Sequence, residues 1–147
     1  MRIAVGSDHA GFEGPRFYKP EIMKYLEEKG YETVDCGTNG PESVDYPLFA
    51  GKVCEAVLSG RAERGVLICG TGLGVAMAAN RYRGIRAAPC ATPEMAQLAR
   101  EHNNANVLCL GRRTLELDQC FELIDLWLET PFSEGERHIR RLREMDE

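Results

Sequence analysis

No apolar run in this chain approaches membrane-spanning length, and no stretch is rich enough in proline, glycine or serine to read as a linker. The first absence excludes a transmembrane helix. The second, together with a length of 147 residues and no internal repeats or low-complexity tracts, leads us to expect a single domain over 1–147 with one hydrophobic core. A basic surplus is also missing: 18 Lys and Arg stand against 23 Asp and Glu, a formal net charge of -5. Nucleic-acid binders need a basic stripe to displace phosphate counterions, so broad affinity for nucleic acid is excluded and any anion binding must be local. Met1 to Val5 run into Gly6 too soon for the apolar region of a signal peptide, so a cytoplasmic location is the expectation, with no membrane partner. The six cysteines, Cys36, Cys54, Cys69, Cys90, Cys109 and Cys120, form no CxxC pair and have no histidine at zinc-ligand spacing. They read as reduced thiols, mostly buried as small hydrophobes, with no metal.

What is present is an alternation. Short β-branched runs at Arg2 to Gly6, Tyr31 to Asp35, Gly65 to Cys69, Ile85 to Cys90 and Asn106 to Leu110 read as buried parallel strands. Between and after them, helical patterns run over Glu21 to Lys29, Pro47 to Ser59, Gly72 to Arg81, Pro93 to Glu101 and Leu115 to Leu128. Thr92-Pro93-Glu94 is the clearest start signal: an N-cap, a proline at the first helical position and an acid in the first turn. A polar stretch from Ser133 to Glu147 predicts an exposed C-terminal helix. Strand-helix alternation with right-handed crossovers implies an α/β fold of three layers, α/β/α, around a parallel sheet. Ligands in such sheets bind beyond the carboxyl ends of the strands, which directs attention to Ser7-Asp8-His9, to Cys69-Gly70-Thr71-Gly72-Leu73-Gly74 and to Gly111-Arg112-Arg113.

The loop from Cys69 to Gly74 follows an apolar strand and opens a helix, so its glycine N–H groups and the helix dipole could receive an anion. Its spacing is neither the GxGxxG of a dinucleotide fold nor a P-loop, and by itself fits a tight turn equally well. Cys69 adds a thiol at a helix N-terminus, where a nucleophile or base can be made near neutral pH; a buried strand-end cysteine is the alternative. Asp8-His9 should face the same crevice, either as working groups or as a hydrogen-bonded turn. His102, followed by Asn103, closes the fourth helix, where histidine also suits the dipole; chemically it can both donate and accept a proton near neutral pH. Arg137 and Arg141 share a face of the last helix and, with Arg113, could grip a phosphate, although charge runs are usually solvated faces. One small domain can hardly gather all these groups, which makes a homo-oligomer the expected state.

These residues are similar to those of the ribose-5-phosphate isomerase B and galactose-6-phosphate isomerase family. The resemblance runs over nearly the whole chain: Gly6 to Phe12, Val44-Asp45-Tyr46-Pro47, Ile68 to Gly74, Ala78-Ala79-Asn80, Gly84 to Ala87, Arg100 to Asn103, Gly111 to Arg113, and Arg137-His138 with Arg141. It implies a Rossmann-like five-stranded parallel sheet, a homodimer or pair of dimers with active sites shared between subunits, and neither cofactor nor metal. It further implies that Cys69 is the base of an aldose-ketose isomerisation through a cis-enediolate, in the cysteine-bearing branch; the other branch uses a glutamate where this chain has Val75. On the same resemblance Thr71 and the N–H groups of Gly70, Gly72 and Gly74 hold the oxyanion, His102 opens the sugar ring, and Asp8 moves protons between substrate oxygens. His9, Arg113, Arg137 and Arg141 bind phosphate, and Tyr46 and Asn103 line the sugar site.

The chain departs from the family pattern in Glu13 to Pro20, a link into the first helix longer by a few residues, beside the mouth of the expected pocket. Ribose 5-phosphate and ribulose 5-phosphate are the expected pair. Allose or galactose 6-phosphate is the alternative substrate, and a non-catalytic sugar-phosphate-binding regulator the alternative function.

Overall fold

The structure, a computed structural model, describes residues 1–147. Five parallel strands form one sheet in the order β2-β1-β3-β5-β4, with β1 at Arg2–Ser7, β2 at Glu32–Asp35, β3 at Arg64–Cys69, β4 at Ala87–Pro89 and β5 at Val107–Gly111. A 3-10 turn (His9–Phe12) follows β1. The helices are α1 (Tyr18–Glu28), α2 (Tyr46–Leu58), α3 (Leu73–Ala79), α4 (Pro93–Glu101), α5 (Leu117–Glu129) and α6 (Glu136–Asp146). The expected α/β/α architecture with a five-stranded parallel sheet and a C-terminal helix is the one observed.

Each sheet face carries its own apolar cluster. Ile22 and Leu26 of α1, Ala96 and Ala99 of α4, and Leu123, Ile124 and Trp127 of α5 pack with Ile3, Val5, Val66, Ile68, Leu108 and Leu110 from the strands. On the opposite face Ala50, Val53 and Cys54 of α2 and Val75, Ala76 and Ala79 of α3 pack with Ala4, Leu67, Val107 and Cys109. The alternate strand residues thus go to opposite faces, as a strand buried on both sides requires. Trp127 is fully buried, and its indole Nε1 has no hydrogen-bond partner, so its contribution is packing. Trp127→Ala is expected to cost about 3–5 kcal/mol in urea unfolding and Trp127→Phe clearly less, because only the larger truncation leaves a wide cavity.

Several boundaries differ from the sequence reading, and three of the differences have a clear local cause. Helix α1 begins at Tyr18 and not at Glu21: Pro20 lies in the first turn, where no intrahelical N–H is needed, and the Tyr18 hydroxyl donates to the Leu115 carbonyl at 2.6 Å. The loop of the longer segment is therefore confined to residues 13–17. Buried Lys19 joins that helix to the end of β2 through Asp35 (2.6 Å) and Asn39 (2.9 Å). Strand β4 is shorter than Ile85 to Cys90 because side-chain amides take over its start. The Arg86 N–H donates to Asn106 Oδ1 at 2.8 Å, the Ala87 N–H to Asn80 Oδ1 at 2.8 Å, and Asn80 Nδ2 to the Ala87 carbonyl at 2.9 Å. Helix α3 consequently stops at Ala79, with Asn80 as its cap. At α4, Thr92 and Pro93 behave as read, the Thr92 hydroxyl accepting the Met95 N–H at 3.2 Å.

Candidate active site

The chain turns to one side of the sheet after β1 and to the other after β3, which makes the ends of these adjacent strands a topological switch point. Just beyond β1, the Asp8 N–H donates to the Ile68 carbonyl of β3 at 3.3 Å. Asp8 and Cys69 are thereby placed side by side at the crevice where an open parallel sheet receives a ligand.

Asp8 is buried, and its Oδ1 accepts the Ala10 N–H at 2.9 Å, which starts the 3-10 turn. His9 Nδ1 accepts the Val44 N–H at 3.1 Å. With Nδ1 occupied as an acceptor, the ring proton lies on Nε2, a donor available to an anion. Val44 also leads into Tyr46, the first residue of α2, whose ring covers the glycine loop: a Cβ on Gly74 would stand 2.7 Å from Tyr46 Cζ. Only glycine admits that approach.

Cys69 is 5% exposed, and its Sγ accepts the Gly72 N–H at 3.2 Å. Gly72 has φ +80 and lies against the Leu110–Gly111 backbone, a conformation and closeness that side chains oppose. All six cysteines are free and buried. Cys36 and Cys54 donate to carbonyls, and burial pushes the thiols of Cys54 and Cys90 up to about 11 and that of Cys120 up to about 12. These thiols stay protonated, whereas the Cys69 sulfur faces an N–H donor. Thr71 Oγ1 accepts the Leu73 N–H at 3.2 Å, leaving its own proton free to donate outward.

After β5, the Arg113 N–H donates to the Gly70 carbonyl at 2.9 Å, and its Nη1 lies 2.9 Å from the point where a Gly70 side chain would begin. Glu13 holds the other edge of the guanidinium, with Nη2 at 2.5 Å and Nε at 3.2 Å from its two carboxylate oxygens. Arg113 keeps the Glu13 carboxyl below the usual carboxylate range. Arg112 donates twice to the Glu13 carbonyl and lies over the Tyr18 ring. The long segment is therefore fastened to the end of β5, a role for Glu13 and Arg112 that no local pattern announces.

The remaining expected residues are elsewhere. Helix α4 runs back from the carboxyl end of β4, so His102, its C-cap, and Asn103 sit at the amino end of the sheet. Asn106, just beyond, accepts the Gly65 N–H at the start of β3, four residues before Cys69 and hence about 13 Å away along the strand. There the His102 ring stacks on His138 of α6, with centroids 4.3 Å apart and planes at 14°. Arg137 and Arg141 flank His138 and are exposed. One chain therefore brings Asp8, His9, Tyr46, Cys69, Gly70, Thr71, Gly72, Gly74 and Arg113 to one end of the sheet. His102, Asn103, Arg137 and Arg141 are gathered at the other. His138, which the sequence reading assigns no role, belongs to the second group.

A doubly wound α/β domain with a thiol, a carboxylate and an arginine at its switch point defines a protein built for acid-base chemistry on a small anionic ligand. The chain belongs to the ribose/galactose isomerase family, whose model matches residues 3–145. It is 45% identical to ribose-5-phosphate isomerase B of Escherichia coli (strain K12) over 96% of this chain and 91% of that protein. The solved ribose-5-phosphate isomerase B of Clostridium thermocellum superposes with a TM-score of 0.95 at 49% identity, covering 99% and 95% of the two chains. A ribose 5-phosphate isomerase from Thermotoga maritima gives 0.93 at 52% identity, covering 99% and 97%. No helix of this protein is long and apolar enough to cross a membrane.

Proposed function

We propose that the protein interconverts ribose 5-phosphate and ribulose 5-phosphate, with Cys69 as the base. The observation that carries this reading is the Cys69 sulfur at the β1/β3 switch point, facing the Gly72 N–H and bordered by Asp8 and Arg113. The names of the relatives support the substrate.

The Cys69 thiolate takes the proton from C2 of the open aldose, the C–H electron pair becomes the C1–C2 double bond, and the carbonyl oxygen becomes an enediolate oxygen. Backbone N–H groups of Gly70 to Gly74 and the Thr71 hydroxyl stabilise that charge, as preorganised donors do. Asp8 carries the proton from O2 to O1. The thiol then returns its proton to C1, which yields the ketose and regenerates the thiolate. His9 through Nε2–H and Arg113 hold the phosphate, and Tyr46 lines the sugar site.

Ring opening by His102, with Asn103 on the sugar and Arg137 and Arg141 on the phosphate, requires these residues to come from a second copy of the chain, since within one copy they lie at the far end of the sheet. An exposed apolar face supports such pairing: Leu73 and Met77, four apart on α3, the helix that the glycine loop opens, are 52% and 69% exposed.

The substrate is tested by kcat/KM for five- and six-carbon aldose phosphates with the purified protein. The five-carbon substrate is expected to be preferred. A single added hydroxymethylene discriminates by only about 1–3 kcal/mol unless a dedicated hydrogen bond reads it, so a clear preference for allose or galactose 6-phosphate would replace the substrate and leave the proton-transfer step standing.

A further inference from the structure

The face-to-face stack of two imidazoles leaves one of them without a role in the scheme above. We propose that His138 is a positioning residue for ring opening: its ring is the flat support that fixes the plane of His102 as that side chain exchanges its proton with the cyclic sugar phosphate. The inference rests on the ring-opening role of His102.

Three observations carry it. The rings lie 4.3 Å apart and within 14° of parallel, so rotation of His102 about its side-chain torsions is blocked on one face. His138 is itself confined: it is 8% exposed, its backbone N–H donates to the Gly135 carbonyl at 2.9 Å, and its ring packs on Gly135, where a Cβ would stand 3.3 Å from Cδ2. The two helices that carry the rings are tied near their junction by the Ser133 N–H donating to the Glu101 carbonyl at 3.1 Å. A side chain that must hand over a proton within hydrogen-bond distance works only in a narrow range of orientations, and a support of this kind provides it.

The charge state fits the same role. Burial first, then His102, Arg137 and Arg141, lower the pKa of His138, with Glu101 opposing them. The lowering favours the neutral imidazole at His138. A neutral ring face tolerates, and weakly attracts, a protonated His102 above it, where a second imidazolium would repel it.

The test uses the whole protein and two aldose phosphates. A five-carbon aldose 5-phosphate closes into a furanose; a four-carbon aldose 4-phosphate cannot, because the oxygen that would close the ring carries the phosphate. His138→Leu keeps the volume and removes the plane, whereas His138→Phe keeps the plane and removes the titrating nitrogens. The leucine variant is expected to lose about tenfold in kcat/KM on the five-carbon substrate and less than about twofold on the four-carbon one. The phenylalanine variant is expected to keep both activities within about threefold with an unchanged pH profile. Equal losses on both substrates, no loss in the leucine variant, or a phenylalanine variant as impaired as the leucine one would overturn the role of His138. His102→Asn serves as the separate control: if it harms both substrates alike, the ring-opening assignment fails, whatever the His138 variants do.

Discussion

Replacing Cys69 by alanine is expected to lower kcat at least about a hundredfold, the range over which positioned acid-base groups act. In the proposed mechanism the sulfur exchanges a proton with carbon, and Asp8, the residue just after β1, already accepts the Ala10 N–H. Because alanine fills the same strand end without the sulfur, the fold should persist, which thermal unfolding of the variant checks. KM should change far less than kcat, since the side chains proposed to hold the phosphate are separate from the thiol. Steady-state kinetics in both directions read the effect. A Cys69→Ala protein with near-normal turnover would refute the assignment of the base, and exchange of solvent deuterium into the substrate C–H provides the independent measure.

The second large effect concerns assembly. Cys69→Ala and His102→Ala homomers should each be close to inactive, yet refolding them together should restore activity. If each site takes Cys69 from one subunit and His102 from the other, a mixed dimer holds one doubly altered site and one intact site. Random pairing in a twofold dimer then yields about a quarter of the native activity. Mixed dimers, isolated through different affinity tags, that show no recovery would refute the shared site. The separation of the two residue groups to opposite ends of the sheet is what motivates the experiment.

Much of this architecture could be read from the chain itself. Runs such as Gly65 to Cys69 are apolar at every residue, which only a strand covered on both faces tolerates, and Thr92-Pro93 marks a helix start that the structure reproduces. The direction of His102 was also legible in principle. A helix that returns between two parallel strands must end where the next strand begins, so its last residue cannot share an end with Cys69. What stayed hidden depends on contacts between distant positions. The order β2-β1-β3-β5-β4 places β5 inside β4, and no local pattern distinguishes that from consecutive strands. The pairing of Glu13 with Arg113 spans 100 residues and involves two ordinary surface side chains. The short β4 arises because Asn80 and Asn106 satisfy backbone groups that a propensity argument assigns to a strand. His138 was obscured by its neighbours, since a histidine among arginines reads as one more solvated cation until His102 is seen beneath it.

The amide of Asn80 also determines how copies of this protein can meet. Strand β4 lies at the rim of the sheet, and in a parallel ladder every second residue directs its N–H and C=O away from the neighbour. On that outer side Ala87 has both groups bonded to Asn80, and Pro89 has no N–H to offer. A foreign strand approaching this rim finds no repeating row of donors and acceptors to template on, so the sheet is closed to growth there, as soluble proteins require of their outermost strands. Any association of copies at this rim would then rest on side-chain surfaces and not on backbone pairing.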